Sequence, residues 1–158
     1  MTSEEKRVSP FVVRSAEIED LNKCVLIALE IPLENDWEYF PKASESKVTN
    51  TIRKLIEDRT LIVYENNGII VGIMGLVIDS FWWSEEPMML DMLFYIKPEF
   101  RSYKAFNRML STAEEFAKIN GLPLSLLLFS TKNLERKYEM IKRRGYKKIG
   151  FWVTKERQ

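Results

Sequence analysis

Asp91-Met92-Leu93-Phe94-Tyr95-Ile96-Lys97-Pro98-Glu99-Phe100-Arg101-Ser102-Tyr103-Lys104-Ala105-Phe106-Asn107-Arg108-Met109-Leu110 reads as an apolar strand, a turn bounded by Pro98 and the opening of a helix. A helix that starts directly after a strand offers unpaired backbone N–H groups and the positive end of its dipole, and so favours an anion. Arg101 and Lys104 add side-chain charge at the same junction. Strict alternation along the strand puts Asp91, Leu93 and Tyr95 on one face.

Working outward, Pro10 and residues 11–14 read as a first strand, with residues 1–9 a polar, frayed terminus ahead of a single domain over 10–158. Ser15 is placed to cap a helix whose stripe is Ile18, Leu21, Cys24, Val25, Ala28 and Leu29, ended by Ile31-Pro32. Ser44 or Ser46 caps a second helix carrying Val48, Ile52, Leu55 and Ile56 to near Thr60. Residues 61–65 and 69–79 flank Asn66-Asn67-Gly68, the pattern of a hairpin, and Gly72 and Gly75 mark bends or a close backbone approach. After the loop 81–87 comes a central strand over 88–96. A helix from about 104 to 119 follows, with Met109, Leu110, Ala113, Phe116 and Ala117 on one side and Asn120-Gly121 at its end. The apolar run 122–129 predicts a strand covered on both faces, 133–143 a helix closed by Gly145, and 146–153 a last strand. The order is β-α-α-β-β-β-α-β-α-β: an α/β (α+β) fold with a mixed, mostly antiparallel sheet and helices on both faces.

Composition narrows the chemistry. The chain has 158 residues, 46% hydrophobic and 30% charged, and a net charge of +1, which suits one soluble domain and gives no reason to expect general nucleic-acid binding. No apolar run reaches the roughly 20 residues of a membrane span, so a cytoplasmic protein is expected. With one cysteine, Cys24, and no histidine, internal disulfides, His-rich zinc sites, Ser-His-Asp hydrolases and Cys-His pairs are all excluded. Proton transfer must use carboxylates, Tyr, Lys, Cys or water.

The strand-Pro-aromatic-Arg junction, the element order and the segment Asn133-Leu134-Glu135-Arg136-Lys137-Tyr138-Glu139-Met140-Ile141-Lys142-Arg143-Arg144-Gly145-Tyr146 together resemble the GCN5-related N-acetyltransferases (GNAT) from about residue 11 to residue 155. The likeness is closest to the small bacteriophage-type members, through Asp91, Phe94, Tyr95, Pro98-Glu99-Phe100-Arg101, Lys104, Gly145-Tyr146 and Lys155. Lys104 and Phe106 depart from the small residues that the family places at these two steps of its pyrophosphate loop. The resemblance implies acetyl-CoA as acyl donor, direct transfer to an amine and no metal. It implies that Phe94, Tyr95 and Ile96 line the pantetheine arm, with the backbones of Phe94 and Ile96 bonding the arm as if it were an added strand. Arg101, Ser102, Tyr103, Lys104, Ala105 and Phe106 would hold the diphosphate, chiefly by backbone N–H groups.

Asp91 matches the acidic position of the phage-type proteins and is the leading base; a solvated strand-end acid is the other reading. The family's acidic Tyr falls on Ile141, leaving Tyr138, one turn earlier, as a substitute proton donor or a core residue. Trp37, Tyr39 and Phe40 from one loop and Trp82 and Trp83 from another are expected at the acceptor end. With Glu34, Asp36, Glu38, Glu85, Glu86 and Asp91 on or near that rim, a cationic amine, small-molecule or protein, is the expected acceptor. A homodimer is left open. Two further readings stand beside the enzyme: a non-catalytic interaction protein whose cleft is closed by Phe106 and whose Trp residues meet a partner, and Cys24 as an acyl carrier.

Overall fold

The computed structural model describes residues 10–34, 41–128, 133–150, 153 and 155. Five strands, β1 (Phe11–Ser15), β2 (Leu61–Asn66), β3 (Ile69–Asp79), β4 (Met88–Ile96) and β5 (Leu124–Ser125), form one sheet in chain order. The first three pairings are antiparallel and β4·β5 is parallel. Among the described residues four α-helices accompany the sheet: α1 (Leu21–Glu34), α2 (Glu45–Glu57), α3 (Tyr103–Ile119) and α4 (Leu134–Lys142). None of the described helices is long and apolar enough to cross a membrane.

The sheet has a core on each face. Cys24, Val25, Ile27 and Ala28 of α1 and Ile52, Leu55 and Ile56 of α2 pack with Leu61, Val63, Ile73 and Tyr95. On the opposite face Ala105, Met109, Ala113 and Ala117 of α3 pack on Ile62, Met74, Leu76, Met89 and Ile96. The stripes predicted for α2 and α3, and that of α1 from Leu21 onward, are thus the faces that lose their water, whereas Ile18 lies in the turn before α1 and is half exposed. Cys24 is fully buried in the first of these cores, burial pushes its thiol up to about 12, and it packs there as a small apolar residue.

Local chemistry explains most boundaries. Asn67 and Gly68 both have positive φ, 50° and 78°, as a two-residue turn of mirror-image type requires between β2 and β3. Ser44 caps α2 by accepting the Lys47 N–H, and Ser102 caps α3 by accepting the Ala105 N–H at 3.0 Å. At α1 the expected cap is replaced. Ser15 stays in β1, and a short 3₁₀ turn leads in, where the Asp20 carboxylate accepts the Glu17 N–H at 2.8 Å while pairing with Arg14. α1 also runs through Pro32 to Glu34 instead of ending before it, since near a helix end proline removes only one bond.

Two strand expectations are corrected. Of the run 122–129, the described residues 122–128 contribute only Leu124–Ser125 to the sheet, paired with Met89 and Leu90. Beyond that, the Asp91 carboxylate accepts the Leu127 N–H, so a side chain takes the place of the next ladder bond and the chain peels away. The last strand expected over 146–153 is absent among its described residues. Instead Arg144 and Tyr146 are drawn onto α3, where Glu114 accepts from both side chains and Asn107 and Ser111 accept from the same guanidinium.

Candidate active site

β4 is irregular where it matters. Gly75 pairs with Leu93 but the next residue, Leu76, pairs with Asp91, so Met92 is an extra residue, a β-bulge, and half exposed. The bulge changes the phase of the strand. Leu93 and Tyr95 face α1 and α2, whereas Asp91, opposite Leu76 and two residues from Met89, faces the α3 side. The single face expected for Asp91, Leu93 and Tyr95 is therefore broken between the first of them and the other two.

On its outer edge β4 is paired with β5 only at Met89 and Leu90. From Asp91 to Ile96 no described residue forms a strand on that side, leaving an open seam that ends at the α3 N-terminus. There Ser102 occupies the N–H groups of Ala105, through its hydroxyl, and of Phe106, through its carbonyl at 3.0 Å. The Tyr103 and Lys104 N–H groups lie in the first helical turn, where no intrahelical acceptor exists. The Lys104 side chain is exposed, as is that of Tyr103.

Phe106 turns onto the sheet. Its ring stacks on Phe94 with centroids 5.3 Å apart and planes 18° from parallel, and Phe94 in turn packs against the α3-side core. The bulky side chain thus leans on β4 and away from the first-turn amides. An open groove of about 710 Å³ runs along the other flank of α3, between Phe11, Val12 and Val13 of β1 and the side chains of Tyr103, Lys104 and Arg108.

Arg101 is committed elsewhere than expected. Its Nε–H donates to the Ile96 carbonyl at 2.7 Å, and its two terminal nitrogens fork onto Glu34 at 2.6 Å each. The guanidinium also lies 5.2 Å from the Tyr95 ring centroid. The hydrogen bonds that Arg101 donates to Glu34 hold the Glu34 carboxyl below the usual carboxylate range and raise Arg101. Glu34 was legible as a rim acid but not as a partner of Arg101; the readable signal was the matching spacing of Glu30 with Glu34 and of Lys97 with Arg101.

Asp91 is 9% exposed, and burial pushes its carboxyl up to about 6 against the opposing pull of the Leu127 N–H. Tyr138 is half-buried on α4 with the Lys148 ammonium 5.0 Å from its ring centroid, while Ile141 is buried. Trp82 and Trp83 stand in the β3–β4 loop, 93% and 63% exposed, with Phe81 stacked on Trp83 at 4.4 Å and Trp82 edge-on to it at 5.4 Å. Glu85 and Glu86 beside them are exposed. Roughly 10 Å of strand separates Met88, where that loop ends, from Asp91. The structure therefore gathers Phe94, Tyr95, Ile96 and residues 101–106 around one junction, whereas Asp91, about 17 Å along the strand from Ile96, lies nearer the aromatic loop than that junction. Trp37, Tyr39, Phe40, Asp36 and Glu38 lie outside the described residues.

A scan of protein-family models finds no match, and neither does a search of the curated proteins. Solved structures do match. A predicted acetyltransferase with acetyl-CoA from Clostridium acetobutylicum superposes with a TM-score of 0.73 at 16% identity, over 92% of this chain and 96% of the other. A GNAT family acetyltransferase of Staphylococcus aureus gives 0.63 at 21% identity over 92% and 98%. The aminoglycoside N-acetyltransferase AAC(6')-Iy in complex with CoA gives 0.69 at 10% identity over 97% and 98%. With nearly the whole length of each chain superposed, a mixed sheet opening beside a strand-helix junction, and helices on both faces, this protein has the fold of the GNAT acetyltransferases.

Proposed function

We propose that the protein is an acetyl-CoA-dependent N-acetyltransferase that passes the acetyl group directly from the thioester to an amine. The observation that carries this reading is the open seam of β4 from Asp91 to Ile96, running into two first-turn amides of α3 that have no intrahelical acceptor. An extended pantetheine arm can add to such an edge as a strand, and a diphosphate suits the helix end. Phe94, Tyr95 and Ile96 line the arm, and a β4 N–H polarises the thioester carbonyl. Tyr103 and Lys104 hold the diphosphate through their N–H groups, with Lys104 adding charge, and Ser102, Ala105 and Phe106 shape the turn.

In the transfer, a neutral amine attacks the acetyl carbon, the C–N bond forms, the C–S bond breaks and CoA leaves as its thiolate. Asp91, with a carboxyl poised near 6, takes the proton that the amine gives up. Tyr138 is the proton donor in reach of α4's inner face, though a thiolate leaves without strong acid help. Trp37, Tyr39, Trp82, Trp83, Glu85 and Glu86 make a cationic acceptor the favoured class. The same reading makes this a cytoplasmic protein of the phage type, monomeric or homodimeric.

Calorimetric titration with acetyl-CoA tests the proposal: binding is expected, and none at millimolar ligand would sink it. Asp91→Asn should cut turnover by roughly 10²-fold or more with affinity little changed. Lys104→Ala should weaken CoA by about three- to tenfold and leave dephosphorylated pantetheine alone. A second reading, a GNAT-like interaction protein without catalysis, draws on the exposed Trp82 and Trp83 and on Ile141 in place of the usual Tyr. It requires that acetyl-CoA not bind at all.

A further inference from the structure

Arg101 sits two residues before the amides proposed to hold the diphosphate, yet its guanidinium is turned back. The bond from Nε to the Ile96 carbonyl closes the turn on itself, and Phe100 N–H to Lys97 O at 2.9 Å with Arg101 N–H to Pro98 O at 3.3 Å tightens it further. The fork from the terminal nitrogens to both oxygens of Glu34 then fixes the plane of the guanidinium, because a planar fork meets a carboxylate in one orientation only. One helical turn earlier on α1, Glu30 accepts from Tyr95 Oη at 3.3 Å and pairs with Lys97 at 3.1 Å. Glu30 and Glu34 thus hold both shoulders of the Pro98 turn. The cations also sit at the C-terminal end of α1, where the helix dipole favours them. Lys137 of α4 faces the same fork: desolvation of its ammonium and the nearby Arg101 lower its pKa while Glu34 pulls the other way, although the side chain as a whole stays exposed.

We infer that Glu34 is a positioning residue of the cofactor loop, acting through Arg101 to set the angle at which β4 hands over to α3 and so the placement of the Tyr103 and Lys104 amides. The inference rests on the acetyltransferase reading for its ligand, and on geometry alone for the strut. A lysine at 101 keeps the charge but has neither the fork nor an Nε to bond Ile96 while holding Glu34. A direct phosphate contact at Arg101 could lose affinity on that change but would leave the ligand-free loop as tight as before, whereas a strut loosens the loop itself.

The test uses the full chain with Glu34→Gln, Arg101→Lys, Arg101→Ala and the Glu34→Gln/Arg101→Lys double variant. Hydrogen exchange over residues 97–106 without ligand should speed up by about tenfold in each single variant. CoA affinity should fall by about tenfold in each, pantetheine affinity should stay within about twofold, and the double variant should be no worse than either single one. Unchanged exchange in Glu34→Gln overturns the strut whatever the cofactor does. Normal CoA affinity in Arg101→Lys with a loss in Arg101→Ala, or tighter CoA binding in Glu34→Gln, overturns it in favour of direct phosphate contact. If the unaltered protein binds no CoA while exchange still rises in the variants, the acetyltransferase reading and the cofactor role of Glu34 fall together, and a purely architectural strut is left.

Discussion

A carboxyl that is 9% exposed and titrates near 6 makes Asp91 a burden at neutral pH as well as a candidate base. Below about pH 3 the folded and unfolded chains both hold its proton. As pH rises from the ordinary value of 3.8 towards 6, the unfolded chain releases the proton first, so stability falls, and above about 6 the loss levels off at roughly 3 kcal/mol. Asp91→Asn cannot titrate and keeps an oxygen for the Leu127 N–H. Its stability relative to the unaltered protein should therefore be about 2.5 kcal/mol better at pH 7 than at pH 4, read from urea denaturation at the two pH values. A constant difference would mean that the carboxyl is not perturbed. The type of this residue was legible in the sequence and its facing was not, because strict alternation has no means of anticipating Met92. Arg101 misled for a related reason: a charge near a helix start looks available until the acid that holds it, far away in the chain, is brought alongside.

Among the elements, β4 and the β2–β3 hairpin followed directly from pattern and turn chemistry, and a capping serine marked the start of α2, whereas the Ser102 cap of α3 emerged only with the structure. β5 did not, since an apolar run says that a segment will be buried but not whether a partner strand is there for all of it. Gly75 shows what the second strand of the hairpin requires. A Cβ there would come within 2.7 Å of Leu55 Cδ1 on α2 and 3.2 Å of Leu93 Cγ on β4, so glycine is what lets α2 sit close on the sheet beside the bulge. Gly75→Ala should cost about 1–3 kcal/mol by overpacking. In a Leu55→Ala background the same change should cost clearly less, because the facing methyl is gone; equal costs in the two backgrounds would remove the close approach as the cause.

For the molecule as a whole, the fold was readable because β-α-α-β-β-β-α-β order and one strand-helix junction limit the topologies available, while the site was readable only in outline. Phe106 illustrates the gap. In sequence it stands where a small residue is usual, and only the sheet beneath it, with Phe94 as a stacking partner, gives the ring somewhere else to go. At Met92 the strand absorbs one extra residue while its neighbours keep their partners on β3, so both composition and chain length can vary at this position. Met92 is half exposed, so Met92→Ala should shift stability by no more than about 0.5 kcal/mol. Deleting Met92 leaves Asp91 directly before Leu93, and plain alternation then keeps Asp91 and Met89 on the α3 side and Leu93 and Tyr95 on the α1 and α2 side, with Gly75–Leu93 and Leu76–Asp91 still paired in an unbulged ladder. The one-residue deletion should therefore keep a cooperative unfolding transition in urea, and its loss would mean that the bulge itself holds the sheet together. A residue looped out of its ladder is a spare link in the chain: it can be drawn in or given up while every other side chain stays in the half of the protein to which it belongs.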